Sequence, residues 1–184
     1  MILTHQRIED LVKRSHDASR AAGWWTDLKS GEPLVRNHGE MLMLMVSELV
    51  EAWEGEESGA MDEHLPQYKS LVVELADFLI RAGDFAGGHG WPLAEAVRGC
   101  PTTLVQSDHA LIPIVYVGRC MEHDRKKRYS EACNELAQAV WSVVFLAEQY
   151  EYDLWPIIEA KLEYNSRRAD HKPAARMAEG GKQY

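Results

Sequence analysis

Apolar residues recur at helical spacing along almost the whole chain, and no stretch alternates apolar and polar residues with period two between Asn-Gly or Asp-Gly turns. This periodicity predicts an all-α fold, a helical bundle. A first amphipathic helix is expected from about His5 to Ala22, where Gly23 ends it; an irregular segment follows through Trp24, Trp25, Gly31 and Pro33. A second helix runs from Asn37 or His38, either a suitable N-cap, to Glu57. Pro66 suits the first turn of a third helix that closes at Gly87-Gly88-His89-Gly90, and a short fourth starts at Pro92. At 184 residues these helices make one domain able to bury a core without staples.

Beyond a linker at Cys100-Pro101-Thr102-Thr103 the pattern recurs. Glu74-Leu75-Ala76, an apolar helix and Trp91-Pro92 are echoed by Glu135-Leu136-Ala137, another apolar helix and Trp155-Pro156, and His38 to Glu51 by His109 to Glu122. The expectation is a degenerate internal repeat, 38–98 and 109–165, followed by a C-terminal tail, 169–184. The second copy has lost its acids. Arg119 stands where Glu48 would, and Gln138 where Asp77 would, so only the first copy can chelate a cation.

Glu48 and Glu51 are three residues apart on the second helix, as are Glu74 and Asp77 on the third, so each pair projects from one helical face. Met41, Leu44, Met45 and Ala52 lie within roughly 60° of Glu48, and Leu71, Phe78 and Phe85 are similarly close to Glu74. The acids interrupt apolar stripes. Turned into a core, such carboxylates repel one another and are costly to desolvate unless a cation neutralises them. Oxygen donors at this density favour Mg²⁺, with Mn²⁺ able to substitute; zinc prefers His and Cys. A di-iron bundle would use Glu-x-x-His, and none of the eight histidines has Glu three residues before it.

Near the end of the last long helix, Lys161, Tyr164, Asn165 and Arg168 share one face and offer cationic and amide donors to phosphate oxygens; cations in a last turn also suit the helix dipole. The net charge of −9 argues against a general affinity for nucleic acid, and the one basic run, Arg125 to Arg128, reads equally as a solvated turn between helices. The start of the chain lacks a basic region followed by an apolar one, and no run reaches the length of a membrane span. Cys100, Cys120 and Cys133 are an odd number at unpatterned spacings. They read as reduced thiols of a cytoplasmic protein with no membrane partner.

Taken together, these motifs resemble the MazG-like branch of the all-α NTP pyrophosphohydrolase superfamily, which includes dimeric dUTPases and dCTP pyrophosphatases. That family's E-x-x-E and E-x-x-D are similar to Glu48, Glu51, Glu74 and Asp77, and its K-x-x-Y-N-x-x-R to Lys161, Tyr164, Asn165 and Arg168. Gly23-Trp24-Trp25 resembles the family's opening to its nucleotide pocket. The tail, with His171, Arg176 and Gly180-Gly181-Lys182, resembles tails of phage and bacterial members. Residues 102–128 depart from the family's short single-copy pattern.

The resemblance implies metal-dependent cleavage of a nucleoside triphosphate, a dNTP above all, to the monophosphate and pyrophosphate. The tail points toward phage-type, MazZ-like enzymes selective for dATP and dGTP. It further implies a homo-oligomer, dimer or tetramer, and Mg²⁺ held by the four acids, with Glu51 doubling as general base. Lys161, Asn165 and Arg168 would hold phosphates and Tyr164 would shape the site. Trp24 or Trp25 would stack on the base, or both would pack the loop onto the bundle. The rival reading is a non-catalytic nucleotide- or metal-binding sensor or interaction module.

Overall fold

Residues 4–100 and 111–182 are described by a computed structural model. The elements are α1 His5–Ala21, α2 His38–Ser58, α3 Ser70–His89, α4 Leu93–Arg98, α5 Leu111–Asp124, α6 Tyr129–Gln149, α7 Leu154–Arg167, a 3₁₀ turn Ala169–His171 and α8 Pro173–Met177. Apart from the isolated bridges Thr26–Pro33 and Met61–Lys69 there is no β pairing among the described residues, so the fold is all-α. No described helix is long and apolar enough to cross a membrane. Pro101, Thr102, Thr103 and His109, the expected linker and start of the second repeat, lie outside the described residues, as do Met1 to Leu3.

Local chemistry sets the helix ends. The Thr4 side chain accepts from the Arg7 amide and Asn37 from the Glu40 amide, satisfying donors that α1 and α2 would otherwise leave open. Gly59 and Gly90 close α2 and α3 in the left-handed conformation. The third helix begins later than Pro66. Asp62 accepts from the His64 and Leu65 amides, and the Tyr68 amide donates to the Leu65 carbonyl. Pro66 therefore sits inside a tight turn, where its fixed φ serves equally well, and α3 starts at Ser70.

The central helix is α3, buried almost all round through Val72, Leu75, Phe78, Leu79, Ala82 and Phe85. It runs antiparallel to α2: Gly55 meets Ser70, Glu48 meets Arg81 and His38 meets His89. A Cβ at Gly55 would lie 2.7 Å from the Leu71 amide nitrogen, so only glycine lets the two backbones approach there. The pair α5 and α6 packs alongside, α5 on α2 and α6 on α3; α4 rests on α6 and α7 on α3. Helix α1 covers α3 with Ile8, Leu11 and Ser15. The tail after α7 folds back onto the loop that follows α1, where Arg176 donates to the carbonyls of Ala22 and Gly23.

Candidate functional site

Because α2 and α3 are antiparallel, Glu48 faces Glu74 and Asp77. One carboxylate oxygen from each of the three lies within 4.8 Å of the others. Glu48 and Glu74 are only 5% and 8% exposed, since both replace apolar residues in stripes that face the core. Two cations reach in. Lys161 of α7, itself buried, places Nζ 2.8 Å from Asp77 Oδ2, and Arg81, one turn beyond Asp77 on α3, donates Nε to Glu48 Oε1 at 2.5 Å. Burial, and then the charge of Asp77, push the Glu74 carboxyl up to about 9. Burial also raises Asp77, against the pull of Lys161. On Lys161 desolvation opposes the charge, but the ion pair with Asp77 overcomes it and raises the pKa.

Glu51 is not part of this group. It is exposed on the next turn of α2, at the lip of a cavity of about 510 Å³ that Glu48 and Asp77 also line. Asn165 and Arg168 line the same cavity, but Arg168 is already held in a fork by Asp170, through Nε at 3.0 Å and Nη2 at 2.7 Å. Asn165 Oδ1 is buried without a partner among the described residues. Tyr164 does not line the cavity; its ring stacks on His64 at 4.8 Å, joining α7 to the turn before α3.

The two tryptophans part company. Trp24 lines the cavity, with the Arg176 guanidinium 3.5 Å over its ring and His171 at its edge. Trp25 turns the other way and wedges against α3 at Gly88, where a Cβ would fall 2.0 Å from the indole. Its Nε1 donates to Asp84 Oδ1 at 2.8 Å. Trp25 therefore packs the loop onto the bundle, one of the two readings the sequence left open.

Asp84, Arg36 and Arg81 were not singled out by sequence. Buried Asp84 accepts from His16 Nδ1, Ser19 Oγ, Trp25 Nε1 and, at 3.4 Å, Arg36 Nη1, so one carboxylate ties α1 and the following loop to α3. A signal existed: Glu74, Asp77, Arg81 and Asp84 follow one another at intervals of three, four and three, continuing a single polar stripe on an otherwise apolar helix.

Glu48, Glu74 and Asp77 offer clustered hard oxygens without a sulfur or imidazole among them, a donor set suited to Mg²⁺ or Mn²⁺. The strongly raised Glu74 pKa expresses the same fact, an excess of buried negative charge that a divalent cation would relieve. The other described group of this kind, His5, Glu9 and Glu95, sits in more open surroundings where α1 meets α4. No family model matches the chain, nor does any curated protein or solved structure.

Proposed function

We propose that this chain is a nucleoside triphosphate pyrophosphohydrolase of the MazG-like kind, converting a dNTP to its monophosphate and pyrophosphate. The observation that carries the proposal is the convergence of Glu48, Glu74 and Asp77 within 4.8 Å, beside a cavity whose other walls carry cations and Trp24. Glu48, Glu74 and Asp77 would hold Mg²⁺ or Mn²⁺, which when bound lowers the pKa of water and neutralises charge on the transferred phosphoryl group. Glu51, exposed at the cavity lip and free of the ion pairs that hold Glu48 and Asp77, is suited to take a proton from water there. Trp24 presents a ring within the cavity for a base, and Asn165 offers an unpartnered amide oxygen.

Selectivity for dATP and dGTP, a cytoplasmic location and a homo-oligomer belong to the same proposal. Exposed Met43, Val50 and Trp53, on one side of α2, are the surface that supports an oligomer. One feature favours the sensor reading instead: Lys161 and Arg81 already give Asp77 and Glu48 cationic partners.

Pyrophosphate release from a panel of NTPs and dNTPs with Mg²⁺ or Mn²⁺ decides between the two. The enzyme reading expects turnover that EDTA abolishes, and a fall of at least ~100-fold in kcat for Glu48→Gln and Glu74→Gln. Binding without turnover across the panel leaves the sensor.

A further inference from the structure

Around the cavity most cations are already engaged within the protein. Of those that line it, Arg168 and Lys182 are held by Asp170 and Lys172 by the Ser166 carbonyl, while buried Lys161, held by Asp77, does not line it. Arg36 is the exception. Its side chain is only 10% exposed, yet its one hydrogen bond among the described residues is the 3.4 Å contact to Asp84, an acceptor it shares with His16, Ser19 and Trp25. Burial lowers the Arg36 pKa; Asp84 and then Glu40 offset part of this and the like charge of Arg81 adds to it, while the guanidinium also lies 5.6 Å over the Trp25 ring. Burial, and then the charge of Arg36, lower the Arg176 pKa.

Arg81 lies on the same cavity wall. It commits Nε to Glu48, and its two Nη groups make no hydrogen bond among the described residues. The Arg81 side chain is 39% exposed, so its free Nη groups are open to solvent or to a ligand. The Arg36 guanidinium, by contrast, is kept dry with most of its donors unused, which is costly unless something anionic meets it. A second observation points to a ligand at the same cavity: Ser15, 1% exposed and lining it, has an Oγ with no partner among the described residues.

We infer that Arg36 and Arg81 together form a polyphosphate-binding fork, so that phosphate recognition rests on α3 and the segment before α2 rather than on Lys161 and Arg168. The fork deepens the functional reading above by assigning the phosphate end of that site. Planar guanidinium groups hold phosphate oxygens in pairs, which an ammonium cannot do. The Arg81 Nε bond to Glu48 orients the fork toward the acids, placing a bound phosphate between the acid cluster and Arg36.

The full-length protein is titrated with inorganic tripolyphosphate by calorimetry, once in EDTA and once in Mg²⁺. Wild type is expected to bind in both, with affinity falling about tenfold or more in Arg36→Gln and in Arg81→Gln. Arg36→Lys, which keeps the charge but not the fork, should fall between, and Lys126→Gln, paired with Glu122 far along the surface, should match wild type. Thermal melts of each variant check the fold, and the lysine variant keeps the test open if the glutamine one unfolds. Unchanged affinity in folded Arg36 and Arg81 variants, or no binding by wild type, overturns the inference. The two readings fail separately: dNTP turnover with an unaltered KM in these variants sinks the fork alone. Fork-dependent tripolyphosphate binding without turnover sinks only the enzyme.

Discussion

The Lys161 ammonium stands 2.8 Å from the Asp77 carboxylate with only 4% of its side chain exposed, so the acid cluster contains a cation of its own. Without it, Asp77 and Glu74 would face Glu48 with Arg81 as the one remaining cation paired into the cluster among the described residues. Lys161→Met keeps the length of the chain and removes the charge. It is expected to cost about 3–5 kcal/mol in EDTA, the scale for breaking one side of a buried pair. Added Mg²⁺ should recover part of that loss. Urea unfolding with and without Mg²⁺ measures both, and an equal loss in the two conditions would assign Lys161 a packing role only.

A second relationship joins the two helical hairpins and is sensitive to acid. His38 donates Nδ1 to Asp124 at 2.7 Å, and its Nε2 lies 3.1 Å from His89 Nδ1. Burial, then the neighbouring His38, lower the His89 pKa to about 4. Between that value and the ordinary imidazole pKa of about 6.5, the unfolded chain binds a proton that the folded chain refuses. Stability contributed here is therefore full above about pH 6.5 and lost as pH falls toward 4. Melting temperatures over that window should drop less steeply in His89→Gln than in wild type, and parallel curves would remove His89 as the cause.

The loop carrying Trp24 depends on a contact that permits no side chain. Gly88 lies beneath Trp25, and a Cβ there would sit 2.0 Å from the indole. Gly88→Ala must displace Trp25 and weaken its bond to Asp84, at a cost of about 1–3 kcal/mol from overpacking, of which helix propensity returns at most about 1 kcal/mol. The displaced loop also carries Trp24, so KM for a nucleotide should rise with the loss of stability. Chemical denaturation and steady-state kinetics on one preparation test this, and an undisturbed melting point with unchanged tryptophan fluorescence would count against the wedge.

Much of this was legible in the sequence because it depends on local periodicity. Helix spacing, the Asn37 cap, the glycine stops and three acids of an interrupted apolar stripe are written within a few residues of one another. The start of α3 was not, because Pro66 fits a helix N1 and a turn alike, and the Asp62 side chain decided between them. Glu51 stands three residues from Glu48, the same offset of roughly 60° that separates Asp77 from Glu74, yet only the α3 pair turns both acids into the cluster. How α2 faces α3 leaves Glu51 exposed at the cavity lip, and spacing does not encode that. The pairing of Arg168 with Asp170 and the turning of Trp25 onto Asp84 were hidden for another reason. They depend on how the tail and the first loop fold over the bundle, which no helical period encodes.

The sharpest test of the proposed reaction is which bond breaks. If the Arg36–Arg81 fork holds the β- and γ-phosphates, the α-phosphorus would lie nearest Glu48, Glu74 and Asp77, the acids against which Arg81 is bonded. Water approaching from the acid side would then attack that phosphorus in line with pyrophosphate as the leaving group. In ¹⁸O water a cleaved dNTP should give monophosphate carrying the label and intact unlabelled pyrophosphate, with no orthophosphate at early times. Mass spectrometry separates this from its competitors. Attack at the β-phosphorus would carry the label into pyrophosphate, and attack at the γ-phosphorus would release orthophosphate and a diphosphate. Either pattern would overturn the placement of the phosphates, even with Glu48, Glu74 and Asp77 still required for turnover.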